Sequence, residues 1–223
     1  MSVRTETTQP LRVLPRGRHA APRAVVAESQ RERLLVAMAD ACAAKGYANV
    51  AVADVIERAG VSRRSFYEHF SNKEECFLAA YDAGVAGLLD TIAEAEEAAR
   101  AEGGLLAAAR AATEVYLQVL ADNPAFARTF LIEVLGAGPE ALARRDAVHE
   151  RFAQRLAEAY AQIAKGMDPP DRLPALAPYV FRAAVGAIHE LVTKELLEHG
   201  PAALPRLLGP ILEVELRLLG APR

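Results

Sequence analysis

The chain has 223 residues, with 26 Lys and Arg against 29 Asp and Glu, a formal net charge of −3, 52% hydrophobic residues and 25% charged ones. That balance excludes a disordered or collagen-like chain, and at this length one small unit plus one larger unit is the natural division. No stretch reaches the ~18 consecutive apolar residues of a membrane span and the N-terminus has no hydrophobic signal core, so the cytoplasm is the expected compartment.

The charge is unevenly placed. Residues 1–76 hold 12 basic and 9 acidic side chains, whereas residues 77–223 hold 14 and 20, which makes the N-terminal part the nucleic-acid end. Residues 1–28 carry Arg4, Arg12, Arg16, Arg18 and Arg23 among Pro10, Pro15 and Pro22 without a helical period, and are expected to form a disordered basic arm. Within it, Pro15-Arg16-Gly17-Arg18 has two readings. Arg16 and Arg18 either enter an A·T-rich minor groove or belong to a solvated tail that adds loose electrostatic attraction.

Residues 29–76 read as a three-helix DNA-binding unit. Arg31 to Lys45 is amphipathic, with Leu34, Leu35, Met38, Ala41 and Cys42 on its buried side and Gly46 at its end. Val52, Val55, Ile56 and Ala59 then form one apolar stripe on a short helix, closed by Gly60. Ser62 suits the N-cap of a second helix over Arg63 to Phe70, with Phe66 and Phe70 facing inward and Arg63, Arg64, Tyr67 and His69 on other faces. Two helices around a three-residue turn containing Gly form a helix-turn-helix, whose second helix enters a major groove. Lys73 sits just beyond it, placed to meet a phosphate. The two cysteines, Cys42 and Cys76, lack CxxC spacing and read as small buried hydrophobes, with a redox sensor as the minority reading.

Gly46-Tyr47, Asp54-Val55, Ala59-Gly60-Val61-Ser62, Phe66-Tyr67-Glu68-His69-Phe70 and Lys73-Glu74-Glu75 together resemble the tetracycline-repressor (TetR) family of transcriptional regulators, over roughly residues 30 to 80. The resemblance implies that Ser62, Arg63, Arg64, Ser65 and Tyr67 approach DNA, with His69 and Lys73 at the adjoining backbone. It also implies an all-α fold in which a larger helical domain binds an effector and dimerises. Ala51 departs from the pattern, standing where the family usually has a hydroxyl residue to open the first helix of the motif. Asn49 is the substitute cap and contact expected there.

Residues 77–223 should form the effector-binding and dimerisation domain, bringing the whole to about nine helices. Ser71 or Asn72 caps a helix that runs through Phe77, Tyr81, Leu88 and Ile92, and this helix links the reader to the rest. Gly103-Gly104 separates it from a helix over 105–121. Further helices are expected at 124–135, 139–165, 175–198 and 203–219, with a proline-rich break over 166–174. The last two are apolar on more than one side, with small residues Ala183, Gly186 and Ala187 that permit close approach, so they are expected to form a homodimer suited to a palindromic operator.

Tyr116, Phe130, Phe152, Tyr179 and His189 are the candidate effector pocket, for a lipophilic or aromatic small molecule. An enzyme is disfavoured. His149-Glu150 and His189-Glu190 are adjacent pairs that point about 100° apart on a helix, no His-Glu-x-x-His occurs, and no Ser follows Ser71. No cofactor and no metal site is expected. The remaining alternative is a helix-turn-helix regulator that works through protein contacts without an effector; a solidly packed middle domain would favour it. Deleting residues 1–28 is expected mainly to flatten the salt dependence of DNA affinity, measured by anisotropy titration at several salt concentrations. A loss of base preference instead would identify a minor-groove arm.

Overall fold

The computed structural model describes residues 23–168 and 173–220, and the elements among them are all helical. Arg16 and Arg18 lie outside the described residues. The first helix, α1 (Arg23–Lys45), starts within the stretch expected as the arm, so residues 23–28 are helical and the longest N-terminal deletion that spares the helix ends at residue 22. A 3-10 turn at Tyr47–Asn49 leads to α2 (Val52–Ala59) and α3 (Arg63–His69).

Gly60 sits at φ 61°, ψ 39°, a left-handed position that ends α2, and the Val61 N–H donates back to the Ile56 carbonyl at 3.2 Å. The Ser62 hydroxyl then accepts the Ser65 N–H at 3.0 Å and starts α3. Asn49 is not the cap expected of it: its amide donates to the Lys45 carbonyl at 2.9 Å, closing α1. The carboxylate of Asp54 does that work, accepting the Ala51 N–H at 2.9 Å while paired with Lys45. Asp54 stands three residues into the helix, where a carboxylate both reaches the cap N–H and suits the dipole.

The next element is α4 (Lys73–Asp122). Asn72 accepts the Glu75 N–H at 2.9 Å and Glu75 accepts the Ser71 N–H at 2.6 Å, a reciprocal cap. Gly103-Gly104 breaks the helical path as expected: Gly104 leaves helical geometry, at φ 74°, ψ −160°, so α4 is two helices joined at a kink. Among the described residues the fold thus holds eight α-helices, or nine segments when α4 is divided at its bend. By length and composition α4 would suffice to cross a membrane, but Phe77, Tyr81, Leu88, Ile92, Leu117 and Leu120 along it are core here.

Then follow α5 (Pro124–Leu131), a 3-10 turn at Glu133–Gly136, α6 (Pro139–Lys165), α7 (Pro178–His199), a 3-10 stretch at Pro201–Leu207 and α8 (Leu208–Leu219). One continuous core joins the reading helices to this body, running from Leu34, Met38 and Phe66 through Phe77 and Tyr81 to Phe130, Val192 and Ile211. α1 packs on α2, α4 and α5 together. Cys42 and Cys76 are fully buried in that core, and desolvation pushes both thiols up to about 12, so neither offers a thiolate at neutral pH.

Where α4 meets α5, Tyr81, Phe130 and Phe126 stack in series at 5.7 and 5.4 Å. Gly84 faces the end of the stack: a Cβ there would lie 2.3 Å from the Phe126 ring, whereas one at Gly87 would meet nothing within 4 Å. Gly87→Ala is therefore expected to stabilise the protein by about 0.5–1 kcal/mol through helix propensity. Gly84→Ala is expected to destabilise it by about 1 kcal/mol or more, since the stacked ring cannot move aside. Thermal melts of the two variants side by side check the difference.

Candidate DNA-reading surface and effector cavity

The short helix α3 is anchored by Phe66, which is fully buried and meets Phe70 at 5.9 Å between centroids. That anchor leaves Ser62, Arg63, Arg64 and Tyr67 exposed together on one side, with Ser65 and His69 partly covered. The Arg63 guanidinium lies 5.7 Å from the Tyr67 ring centroid, and Arg64 Nε donates to Glu68 at 2.9 Å. An ion pair this open to water contributes little to stability, so Arg64 gives it up at small cost.

Lys73 has a different placement. Its ammonium donates to the carbonyls of Tyr47 at 3.0 Å and Val50 at 2.9 Å, reaches Ala48 at 3.5 Å, and stands 4.4 Å from the Tyr47 ring centroid. It therefore closes the carbonyl end of the Tyr47–Asn49 turn. The amide end of the same turn is held from the body: Glu133 accepts the Tyr47 N–H at 2.7 Å and is itself paired with Arg128 at 3.0 Å. Sequence reasoning gives Glu133 no role, because its partner is 86 residues away.

In the body, α4, α5, α6, α7 and α8 line a mostly apolar, partly open cavity of about 140 Å³. Four of the five expected pocket residues, Tyr116, Phe130, Phe152 and His189, line it. Tyr179 does not: it is 75% exposed on the first turn of α7. It stands six residues before the lining Val185, a rotation of about 240° that places it on the opposite side of the helix. The sequence reading misses Ile92, Glu96, Arg155, Ile188, Ile211 and Glu215, all of which line the cavity. The signal is present for two of them, since Glu96 follows Ile92 and Glu215 follows Ile211 by four, on the inner stripe of their helices.

The polar groups at this wall are unusual. His149 and His189 meet edge to face at 4.7 Å, and desolvation first, with Arg145 adding for both, lowers each to about 4, so both imidazoles are neutral at pH 7. Burial likewise raises Glu215 to about 7 and pushes the Tyr116 phenol up. An apolar chamber with a few such groups is what a small-molecule site needs: area for affinity, and isolated polar atoms for orientation.

An anchored helix presenting basic and aromatic side chains, mounted on a helical body with an internal cavity, defines a helix-turn-helix DNA-binding protein with a built-in chamber. Residues 34–80 match the family model for bacterial regulatory proteins, tetR family. The chain thus carries the DNA-binding domain and the fold of the TetR-family transcriptional regulators. A search of curated proteins finds no match.

Among solved structures, the fatty acid degradation regulator FadR from Bacillus halodurans superposes with a TM-score of 0.72 at 19% identity, covering 87% of this chain and 96% of that one. FadR from Bacillus subtilis, in complex with stearoyl-CoA, gives 0.70 at 16% identity over 86% and 99%. The TetR-family regulator PfmR from Thermus thermophilus gives 0.60 at 21% over 86% and 97%. At these identities the likeness is one of fold.

The shifts at the cavity set a pH dependence of stability. Between 4.5 and about 7 the folded state holds the Glu215 proton more tightly than the unfolded chain, so Glu215 makes stability fall as pH rises through that window. The histidines act oppositely: between 6.5 and about 4 the unfolded chain takes up protons that the folded state refuses, so stability falls as pH drops. Glu215→Gln is expected to remove the decline between about pH 6.5 and 7 and to steepen the fall on the acid side, where Glu215 partly offsets the histidines, measured by thermal denaturation across pH.

Proposed function

We propose that this protein is a ligand-responsive transcriptional regulator acting in the cytoplasm, a repressor that binds a palindromic operator as a homodimer and is released by a small lipophilic or aromatic effector. Residues 29–76 are the DNA-binding domain and residues 77–223 the effector-binding and dimerisation domain. The observation that carries the reading is the pairing of an exposed α3 face with an apolar cavity in one continuous core.

Arg63, Arg64 and Tyr67 are the base- and phosphate-directed groups, with Ser62, Ser65 and His69 beside them. Asn49 approaches the adjoining backbone from the turn between α1 and α2, and Lys73 from the first turn of α4, beneath that turn. The cavity, rather than a solid interior, favours an effector over a regulator that acts through protein contacts alone. Its largely hydrocarbon and aromatic lining favours a lipophilic ligand, and the stearoyl-CoA held by the Bacillus subtilis neighbour supports the same class.

The dimer uses the outer faces of α7 and α8. Tyr179, Ala183, Gly186 and Leu197 on α7 and Leu216 on α8 are exposed or partly so, an apolar and small-residue strip that a second copy would cover. Transmission runs along α4, whose first turns carry Lys73 under the Tyr47–Asn49 turn and whose residues Ile92 and Glu96 line the cavity.

Arg64→Ala is expected to weaken binding to operator DNA, selected from a random pool, by about 1–3 kcal/mol, with a smaller loss for Tyr67→Phe. Both variants should retain the sedimentation behaviour of the wild type. Unchanged affinity in both would remove α3 as the reading helix.

A further inference from the structure

Beside the apolar cavity lies a second, more polar recess, bordered among others by Glu96, Arg100, Leu105, Arg155 and Gln162. Glu96, Ala109, Arg155 and Ala159 line both spaces, so the two share a wall. In that wall Arg155 Nη2 donates to Glu96 Oε2 at 2.6 Å, and both side chains are about two-thirds covered or more.

The pair also joins two elements. Arg155 belongs to α6, and Glu96 to the part of α4 that leads from the reading helices to the bend at Gly104. Among the described residues α4 and α6 are tied by polar contacts at three levels: Asp82 with Arg144, Glu96 with Arg155, and Arg100 with Gln162 at 3.1 Å. Of these, the Glu96–Arg155 pair alone borders the apolar cavity.

We propose that the site takes an amphiphile with an apolar chain and a carboxylate head, the chain filling the cavity and the head pairing with Arg155 in place of Glu96, so that ligand binding unfastens α4 from α6. This rests on the reading of the cavity as the effector site.

The sign of the head group follows from what each exchange leaves behind. A guanidinium has five donors in a planar fork, and the bond to Glu96 uses one nitrogen of Arg155. An incoming carboxylate takes up that fork while Arg155 stays compensated, and Glu96 turns to solvent. An ammonium head would draw Glu96 away and leave the largely covered Arg155 without a counter-charge, which is the costly outcome for a desolvated pair. An uncharged head leaves the pair closed. On the recess side Arg100 donates to a neutral amide, so a carboxylate there meets a second guanidinium, opposed by Glu158 alone once Glu96 has turned away. At the other end of the cavity the Glu215 carboxyl, disfavoured in its charged form, gives an acidic head no cation to meet.

The probes are decanoate, decan-1-ol and decylamine, titrated calorimetrically into the full-length protein and then into its complex with selected operator DNA. Decanoate is expected to bind about tenfold or more tighter than either of the others, the size of a charge-assisted hydrogen bond, and to be the one that releases DNA. Arg155→Met should bring decanoate to the level of decan-1-ol. Should that variant not fold, Arg155→Lys, which keeps a point charge without the fork, should narrow the preference several-fold. Glu96→Gln, which removes the competing carboxylate, should tighten decanoate binding. Equal affinities for decanoate and decan-1-ol, or a preference for decylamine, would overturn the inference and leave the cavity as an effector site. Failure of all three to bind would overturn the effector-site reading as well.

Discussion

The Tyr47–Asn49 turn is gripped at both ends, and the placement of the DNA-reading surface depends on that grip. Glu133 takes its amide side and Lys73 its carbonyl side. A single 3-10 turn has too few internal hydrogen bonds to hold its own geometry. Held between a carboxylate from the body and an ammonium from the first turn of α4, it fixes the angle at which α1 hands over to α2 and α3. The two grips come from different parts of the chain, so a shift of either the α5 region or the start of α4 is felt at the same turn.

This makes α5 a second connection between cavity and reader. Phe130 lines the cavity, while Arg128, two residues earlier and on another face, orients the Glu133 that holds Tyr47. The Phe126–Phe130–Tyr81 stack ties α5 to α4, so the two connections are mechanically joined. A packed stack of rings transmits a displacement because cores resist compression. The polar wall groups have the complementary role. Neutral imidazoles and an easily protonated carboxyl avoid fixed charge in the cavity, and leave Arg155 and Glu96 as the ionised groups at its edge.

Much of this is legible in the sequence where the signal is local. The ends of α2 and α3 follow from Gly60 and Ser62, and the start of α4 from Asn72, because caps are decided within a few residues. One local reading goes astray for a local reason. Asn49 has the side chain to cap α2, but its amide donates to the Lys45 carbonyl, and Asp54, inside the first turn, reaches back to the Ala51 N–H. Gly103-Gly104 reads as a helix end, and Gly104 is where helical geometry breaks. What the sequence hides is long-range. Nothing near Glu133 announces Tyr47, and Glu96, Arg155 and Glu215, on three different helices, each look like an ordinary charge on an amphipathic segment until the helices are packed together. Tyr179 shows the converse: an aromatic near the right helix carries no information about which side it faces.

The unbroken stretch of α4 from Lys73 to the bend at Gly104 has a consequence for how such a chain tolerates change. A loop absorbs an added residue; a helix cannot. One residue inserted between Lys73 and Glu96 would advance everything beyond it by about 1.5 Å and turn it by about 100°. The cavity-facing stripe of Ile92 and Glu96 would then point elsewhere while the turn under Tyr47 stayed in place. The helix therefore works as a phase-keeping shaft: its side chains are open to substitution at many positions, but its residue count is not free.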